Sequence, residues 1–309
     1  RQEYIDYIRG WVDSCVSSDG NVNYFYSGHL DDLQPGILLF PLLDQTGEEK
    51  YRLALDTIAY CYSVMPTTPE GGFWHKTSLR NQMWLDGLYM AGPFMAEYGA
   101  RFGREDLINL ALKQAELMRK NTRDEHTGLW YHAFDFERRQ LWADPKTGKS
   151  PEFWGRSMGW VPVALLQEAE VLTAASEAGK KQAAIACELL EALLPWQDPE
   201  TGLWYQVTNK GEDPKNWPES SCTCLYTAAL CMAFRLGLMK DDLRSTVQKA
   251  IRGVLNYVGE DEKGLLIGNI CIGTGVGDYP FYCARPTSVN DLHGAGAFLL
   301  MCTEAAKIL

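Results

Sequence analysis

The chain has 309 residues, of which 46% are hydrophobic and 22% charged, and its formal net charge is −11. These values are typical of a folded globular protein and argue against disorder. Because the basic side chains are few and scattered, the sequence also argues against a nucleic-acid-binding surface. A small anionic ligand stays possible, since a few inward-facing basic side chains can govern a pocket whatever the net charge.

The nine cysteines are odd in number and irregularly spaced. Most of them, such as Cys187, Cys231 and Cys302, lie in apolar helical stretches, which favours buried thiols in a reducing compartment over disulfides or a zinc site. No run of about 18 apolar residues is present, so we expect neither a transmembrane helix nor a membrane partner.

The acidic pair Asp31 and Asp32 precedes an apolar run over residues 37–43. Adjacent acids before a helix are typical of the N-cap and the first turn, and on these residues alone we favour that interpretation. The alternative is that Asp31 is a second carboxylate facing a catalytic acid across a pocket, as sugar-cleaving sites often need.

Two histidines occupy equivalent positions in two similar turns. His75 ends the segment Gly-Gly-Phe-Trp-His, and His132 ends the segment Gly-Leu-Trp-Tyr-His. Structural histidines are commoner than catalytic ones, but this recurrence favours a shared site. Their spacing does not resemble a metal-binding motif, and we predict no metal.

Between these histidines, Asp86 is embedded in an apolar stretch that includes Trp84, Leu85 and Tyr89. Burial beside aromatic side chains predicts a raised pKa for Asp86, which is how a carboxyl group becomes a general acid at neutral pH. The alternative is a structural aspartate that caps a helix or bonds a neighbouring turn.

Further along the chain, Arg156 lies between Trp154 and Trp160, just before an apolar helix. Its guanidinium is suited to bidentate binding of a carboxylate, with an indole as a platform for a sugar ring. The alternative is an arginine that braces a turn by stacking on tryptophan. The late segment Ile272–Gly277 is glycine-rich, but without a preceding strand it does not indicate a nucleotide site.

Helical periodicity fills the intervals between the turns. It predicts one helix over residues 103–120, a helical pair over 157–178 and 180–195, and a further helix over 241–257. Strand-like alternation is nearly absent, so the sequence predicts an all-α protein.

The turns themselves repeat. The pattern Asp-x-x-Thr-Gly-Leu-Trp-Tyr occurs at Asp124 and again at Asp198, and a polar-glycine turn recurs at Gly20, Gly72, Gly128, Gly202 and Gly264. Intervals of about 50–75 residues exceed those of the common helical solenoids and favour a closed ring of helical hairpins. Five turns are visible, so a six-hairpin ring needs roughly one more hairpin upstream. We therefore predict a single domain over residues 1–309 that lacks its N-terminal hairpin.

Several blocks resemble the unsaturated rhamnogalacturonyl hydrolases, glycoside hydrolase family 105. The blocks are Glu70–Lys76, Gln82–Met90, Ser150–Trp160 and Asn290–Gly296, and the similarity runs through the rest of the chain. The resemblance implies an (α/α)6 barrel, a cytoplasmic location and no cofactor. It also implies a substrate that ends in a Δ4,5-unsaturated uronic acid. The vinyl ether of that sugar is protonated at C4 and hydrated at C5, after which the ring opens and the rest of the oligosaccharide leaves.

The resemblance also implies roles for individual residues. Asp86 matches the general acid/base and Asp31 a second pocket carboxylate. The implied substrate contacts are His75, Lys76, Trp84, His132, Arg156, Trp160, Thr274 and His293, with Arg156 placed to bind the uronate carboxylate.

Three alternatives stay open at this point. The first is a hydrolase for unsaturated glucuronyl residues of other lyase products. The second is a carbohydrate-binding ring without catalysis, which the retained Asp86 argues against. The third is an inverting endoglycosidase on the same fold, which needs two acids about 6.5–9.5 Å apart and acts on saturated chains.

Overall fold

The computed structural model describes residues 2–23, 25–239 and 242–309. In these ranges the α-helices are α1 (Gln2–Cys15), α2 (Leu30–Leu33), α3 (Leu39–Thr46), α4 (Glu49–Ser63), α5 (Asp86–Phe102), α6 (Glu105–Thr122), α7 (Gly155–Val171), α8 (Glu177–Leu193), α9 (Ser220–Arg235), α10 (Arg244–Leu255), α11 (Tyr279–Cys283) and α12 (Leu292–Ala305). A 3-10 helix over Gln34–Leu38 joins α2 to α3, and a second one, Leu194–Trp196, follows α8.

Eight short strands form four separate antiparallel pairs, β1 with β2, β3 with β4, β5 with β6, and β7 with β8. The strands are β1 (Gln82–Trp84), β2 (Ala133–Asp135), β3 (Trp204–Tyr205), β4 (Pro218–Glu219), β5 (Val258–Asp261), β6 (Gly264–Ile267), β7 (Ile270–Cys271) and β8 (Thr287–Ser288). The sequence analysis did not foresee these strands, because segments of two to four residues are too short for an alternating pattern.

The helices lie in two layers, and burial distinguishes them. In α7, 13 of 17 residues are buried, and in α9, 14 of 16, whereas in α8 only 7 of 17 are buried. Helices α5, α7, α9 and α12 pack side by side in that order, and α6, α8 and α10 pack behind them. A helix that is apolar around most of its circumference must be covered on several sides, so α7 and α9 belong to the inner layer. Helices α5 and α12 pack in the same row and complete that layer.

The repeated turns connect each outer helix to the next inner one. In two of them an aspartate side chain closes the turn: Asp124 Oδ2 accepts from the backbone N–H of Thr127, and Asp198 Oδ1 from that of Thr201. The aromatic residue that follows, Trp130 or Trp204, is fully buried, as the turn pattern predicts.

The backbone of the turns confirms the glycine pattern with one correction. Positive φ angles occur at Gly20, Gly128, Gly202 and Gly264, where a side chain would be strained. In the remaining turn the left-handed residue is Gly71 (φ +94°), one position before the predicted anchor Gly72.

The helix over 157–178 was predicted too long. Helix α7 ends at Val171 and α8 begins at Glu177, where the Ser176 hydroxyl accepts from the backbone N–H of Gly179. Serine is a preferred N-cap residue, so Ser176 marks the start of a second helix. Between the two helices, Thr173 has a left-handed backbone with φ +64°. The predicted helices over 103–120 and 241–257 correspond to α6 and α10, and residues 240 and 241 lie outside the described ranges.

In the described parts of the chain all nine cysteines are free thiols. Cys231 is buried, as predicted, but Cys302 is exposed on α12, on the same face as the exposed Leu299 three residues earlier. Among the described residues, no helix is both long enough and apolar enough to cross a membrane.

Candidate active site

An open pocket of about 680 Å³ lies where the inner helices begin. Asp86 is the first residue of α5, Arg156 the second of α7 and His293 the second of α12. The pocket is lined by Asp31, Gln34, His75, Lys76, Trp84, Asp86, Tyr89, Met90, Trp154, Arg156, Trp160, Gly273, Thr274, Gly275, Leu292 and His293. The ten predicted site residues therefore meet here, except that His132 lies behind the wall, fully buried.

Asp86 pairs with His132 at the centre of this site. The carboxylate Oδ2 is 3.2 Å from His132 Nε2, and the Asp86 side chain is 16% exposed toward the pocket. Burial lowers the pKa of His132 below its ordinary value, so this histidine is neutral and donates to the carboxylate through its Nε2–H.

The expectation of a raised pKa for Asp86 is wrong for the ligand-free protein. Burial pushes the pKa of Asp86 upward, but the hydrogen bond from His132, together with the nearby His75, brings it below the ordinary value. A hydrogen bond to the charged form of an acid favours that form. Asp86 is therefore a carboxylate at neutral pH in the empty pocket.

Asp31 also lines the pocket and belongs to a second cluster of charges. Its Oδ1 is 3.1 Å from His75 Nε2, and its Oδ2 is 2.9 Å from Lys76 Nζ. Burial alone would raise the pKa of Asp31, but these two partners hold it well below the ordinary value. The favoured interpretation is confirmed in part: Asp31 and Asp32 lie in the first turn of α2, but the N-cap residue is His29, with no side-chain cap.

Trp84 separates the two histidines. Its ring stacks on His75 with the centroids 4.9 Å apart and the planes 5° apart, and it meets His132 edge-on at 5.5 Å. Trp84 lines the pocket, and together with Asp86 it presents an aromatic surface beside a carboxylate. Trp160 also lines the pocket and packs on Tyr89, with the ring centroids 4.6 Å apart.

Arg156 is a buried cation, only 1% exposed. Its Nη1 donates to the Cys271 carbonyl (2.6 Å) and to Ser221 Oγ (3.2 Å), and its Nη2 donates to the Ile272 carbonyl (2.8 Å). The guanidinium also lies over Trp154, 4.7 Å from the ring centroid.

Among the described residues no carboxylate lies within 4 Å of the Arg156 guanidinium. Three of its five N–H groups are used by the protein, which leaves donors for a ligand. A buried charge without a counter-ion costs free energy, and an anion in the pocket would offset that cost.

Thr274 and His293 also line the pocket. The Thr274 hydroxyl is already hydrogen-bonded within the protein, and the His293 ring is half exposed. The Thr274 hydroxyl donates to the Ile272 carbonyl (2.9 Å) and accepts from Arg285 Nε (2.9 Å). His293 is 49% exposed, and its Nδ1 is 2.7 Å from Asp291 Oδ1. Thr274 therefore holds the shape of the glycine-rich loop, and His293 lies at the rim.

The sequence analysis missed two residues behind the pocket wall. Tyr282, on α11, has its hydroxyl 2.7 Å from His132 Nδ1. Glu219 accepts from the hydroxyl of Ser221 and from the backbone N–H of Cys271, both of which position Arg156. The sequence does signal a helix start at Glu219, because Pro218, Glu219 and Ser220 precede an apolar run. No local pattern links Tyr282 to a histidine 150 residues earlier.

The chain is similar to known proteins in sequence and in structure. The model of glycosyl hydrolase family 88 matches residues 1–309. The chain is 31% identical over 232 residues to protein Atu3128 of Agrobacterium fabrum, which covers 70% of this chain and 98% of that protein. It is 27% identical over 285 residues to the unsaturated rhamnogalacturonyl hydrolase YesR of Bacillus subtilis, which covers 89% of this chain and 74% of YesR.

A solved family 105 glycoside hydrolase from C. acetobutylicum is 34% identical and superposes with a TM-score of 0.95 over 100% of this chain and 89% of that one. The predicted (α/α)6-barrel fold and the resemblance to family 105 are thereby confirmed. The chain is an enzyme that acts on glycosyl bonds, and it belongs to glycosyl hydrolase family 88.

Proposed function

We propose that this enzyme removes a Δ4,5-unsaturated galacturonyl residue from the end of rhamnogalacturonan oligosaccharides by hydrating the vinyl ether double bond. The similarity to YesR, an unsaturated rhamnogalacturonyl hydrolase, supports this substrate. The degradation of pectin is the process that yields such oligosaccharides once a polysaccharide lyase has acted.

The observation that carries the proposal is the pair of opposite charges that line one pocket, the buried Arg156 and the Asp86 carboxylate. A uronic acid has a carboxylate next to its ring, and a planar guanidinium binds a carboxylate through two parallel hydrogen bonds. With the uronate on Arg156, its ring lies within the same pocket as Asp86, Trp84 and Trp160.

Binding of the anionic sugar supplies what the empty pocket lacks, which is a protonated Asp86. The sugar displaces water and brings a negative charge beside the carboxylate, and both effects raise the pKa of an acid. Asp86 then transfers its proton to C4 of the vinyl ether. Positive charge develops at C5, and a water molecule attacks C5 to form the new C–O bond.

The same carboxylate completes the cycle. After it has lost its proton to C4, Asp86 accepts a proton from the water that adds at C5, while the His132 Nε2–H stabilises its charged form. The resulting hemiketal opens, and the remaining oligosaccharide leaves. Asp31, held ionised by His75 and Lys76, provides a fixed acceptor for a sugar hydroxyl or for the water.

The test is the ultraviolet absorbance of an unsaturated galacturonyl-rhamnose disaccharide incubated with the protein, followed together with rhamnose release. We expect the double-bond absorbance to disappear and rhamnose to appear, and faster than with an unsaturated glucuronyl disaccharide. A preference for the glucuronyl substrate would contradict the galacturonyl assignment, and an unchanged absorbance for both substrates would contradict the hydration chemistry.

Two further expectations accompany this proposal. The nine free thiols are consistent with the predicted cytoplasmic location, and fractionation of the native host would test it. We also propose that residues 1–309 act as one barrel unit, which a single cooperative unfolding transition would support.

A further inference from the structure

The residue behind His132 offers a positioning role that the proposed function does not include. Tyr282 is fully buried and is absent from the pocket wall, so it cannot touch a substrate. Its hydroxyl oxygen is 2.7 Å from His132 Nδ1 and also accepts from the backbone N–H of Gly277 at 3.2 Å.

These two contacts determine where the protons lie. A tyrosine hydroxyl has one proton to donate, and a buried donor needs an acceptor. The Gly277 contact is made by its backbone N–H, which donates and cannot accept that proton. Among the described residues His132 Nδ1 is the acceptor within reach, and the hydroxyl therefore donates to it.

The tautomer of His132 follows from this donation. If Nδ1 accepts from Tyr282, then in the neutral ring the proton is on Nε2, 3.2 Å from Asp86 Oδ2. A chain of donors thus runs from the Gly277 N–H through the Tyr282 O–H and the His132 Nε2–H to the Asp86 carboxylate. The ring is held in place by Trp154, which lies 4.6 Å from His132 and stacks on Tyr282 at 5.8 Å.

We propose that Tyr282 is a positioning residue that keeps His132 neutral, with its proton on Nε2, so that Asp86 can cycle between acid and carboxylate. Protonation of His132 would place an N–H on Nδ1 that competes with the Tyr282 proton, which would then have no acceptor. A charged His132 would hold Asp86 as a carboxylate and weaken it as an acid. The catalytic part of this proposal rests on the proposed function, whereas the tautomer does not.

Other charged groups also act on His132. Asp86 favours its protonated form, and the nearby His75 and Arg156 disfavour it. Because these groups are unchanged in a Tyr282→Phe variant, a difference between that variant and the wild type reports on the Tyr282 hydroxyl. Tyr51→Phe is the matched control, since Tyr51 is equally buried and its hydroxyl bonds Asp13, outside the pocket.

The first measurement is the imidazole ¹⁵N spectrum of the whole protein labelled at its five histidines, recorded across a pH titration. In the wild type we expect His132 to be neutral near pH 7 with the proton on Nε2. In Tyr282→Phe we expect the pH at which His132 becomes protonated to rise by roughly one unit, the effect of one lost hydrogen bond. A wild-type His132 protonated on Nδ1 would overturn the proposal, and this result needs no variant.

The second measurement is steady-state kinetics on the unsaturated disaccharide. We expect Tyr282→Phe to lower kcat roughly 10- to 100-fold with KM unchanged, as for the hydrogen-bonded partners of metal-bound histidines, and to move the acidic limb of the pH profile. A kcat equal to that of Tyr51→Phe would overturn the proposal. If the wild type did not act on this substrate, the proposed function would fail, while the ¹⁵N spectrum would still decide the position of the proton.

Discussion

The buried carboxyl group of Glu168 makes the fold sensitive to pH, and its replacement by glutamine tests this. Glu168 is on α7 and is 1% exposed. Gln182 on α8 donates to its Oε2, and the backbone of α5 packs so closely that a Cβ on Gly92 would lie 2.0 Å from its Oε1. No cation is paired with it among the described residues, and burial raises its pKa from 4.5 to about 8.

The magnitude follows from the difference between the folded and unfolded proteins. From about pH 4.5 to about pH 8 the folded chain keeps the proton on Glu168 while the unfolded chain has lost it, so stability falls as the pH rises. At about 1.4 kcal/mol for each pH unit, the loss reaches up to about 5 kcal/mol. Glutamine keeps the shape and the neutral hydrogen bonding but does not ionise, so Glu168→Gln removes this loss.

Urea unfolding near pH 5 and near pH 8.5 measures the effect. We expect the free energies of unfolding of Glu168→Gln and the wild type to be similar at the lower pH, and the variant to be several kcal/mol more stable at the higher one. Glu191→Gln, at an exposed position on α8, should show no such change. A stability difference between Glu168→Gln and the wild type that is the same at both pH values would refute the reasoning.

Three other substitutions test the site and the repeat. Asp86→Asn keeps the shape of the side chain but cannot donate a proton, so activity should fall roughly 10²- to 10⁴-fold with the melting temperature unchanged; near-normal turnover would remove Asp86 from the role of acid. Arg156→Lys replaces a planar fork by a point charge, so KM for the unsaturated uronate should rise with a smaller change in kcat; an equal KM would place the carboxylate elsewhere. Gly128→Ala puts a side chain at φ +76°, with its Cβ 2.9 Å from Ala192, and should cost about 1–3 kcal/mol in a thermal or urea unfolding experiment, whereas Gly47→Ala, also left-handed but with open space around it, should cost less.

The sequence predicted the repeat well, because the turns depend on local chemistry. Nine residues of sequence are enough to indicate the turn. They contain an aspartate that accepts from a backbone N–H three residues later, a left-handed glycine and a buried tryptophan. The same locality explains why the predicted site residues meet: each one follows such a turn, and the turns lead to the same end of the inner helices. Their individual roles stay predictions.

What the sequence could not supply are contacts between distant segments. The apolar neighbours of Asp86 indicated a raised pKa, but the direction is set by His132, 46 residues away. Asp31 lies in the first turn of α2, as its sequence suggests, yet its partners His75 and Lys76 come from another turn. The hydrogen bond from Tyr282 to His132 likewise depends on the folded barrel, which brings α11 against the segment that precedes α7.

The measurement that tests the central claim most directly is rhamnose release from two matched disaccharides, one with an unsaturated galacturonyl residue and one with the saturated sugar. Hydration needs the double bond, so the account predicts release from the unsaturated disaccharide only, lost in Asp86→Asn. Equal release from the saturated disaccharide would mean direct hydrolysis of the glycosidic bond by two acids, and would contradict the account.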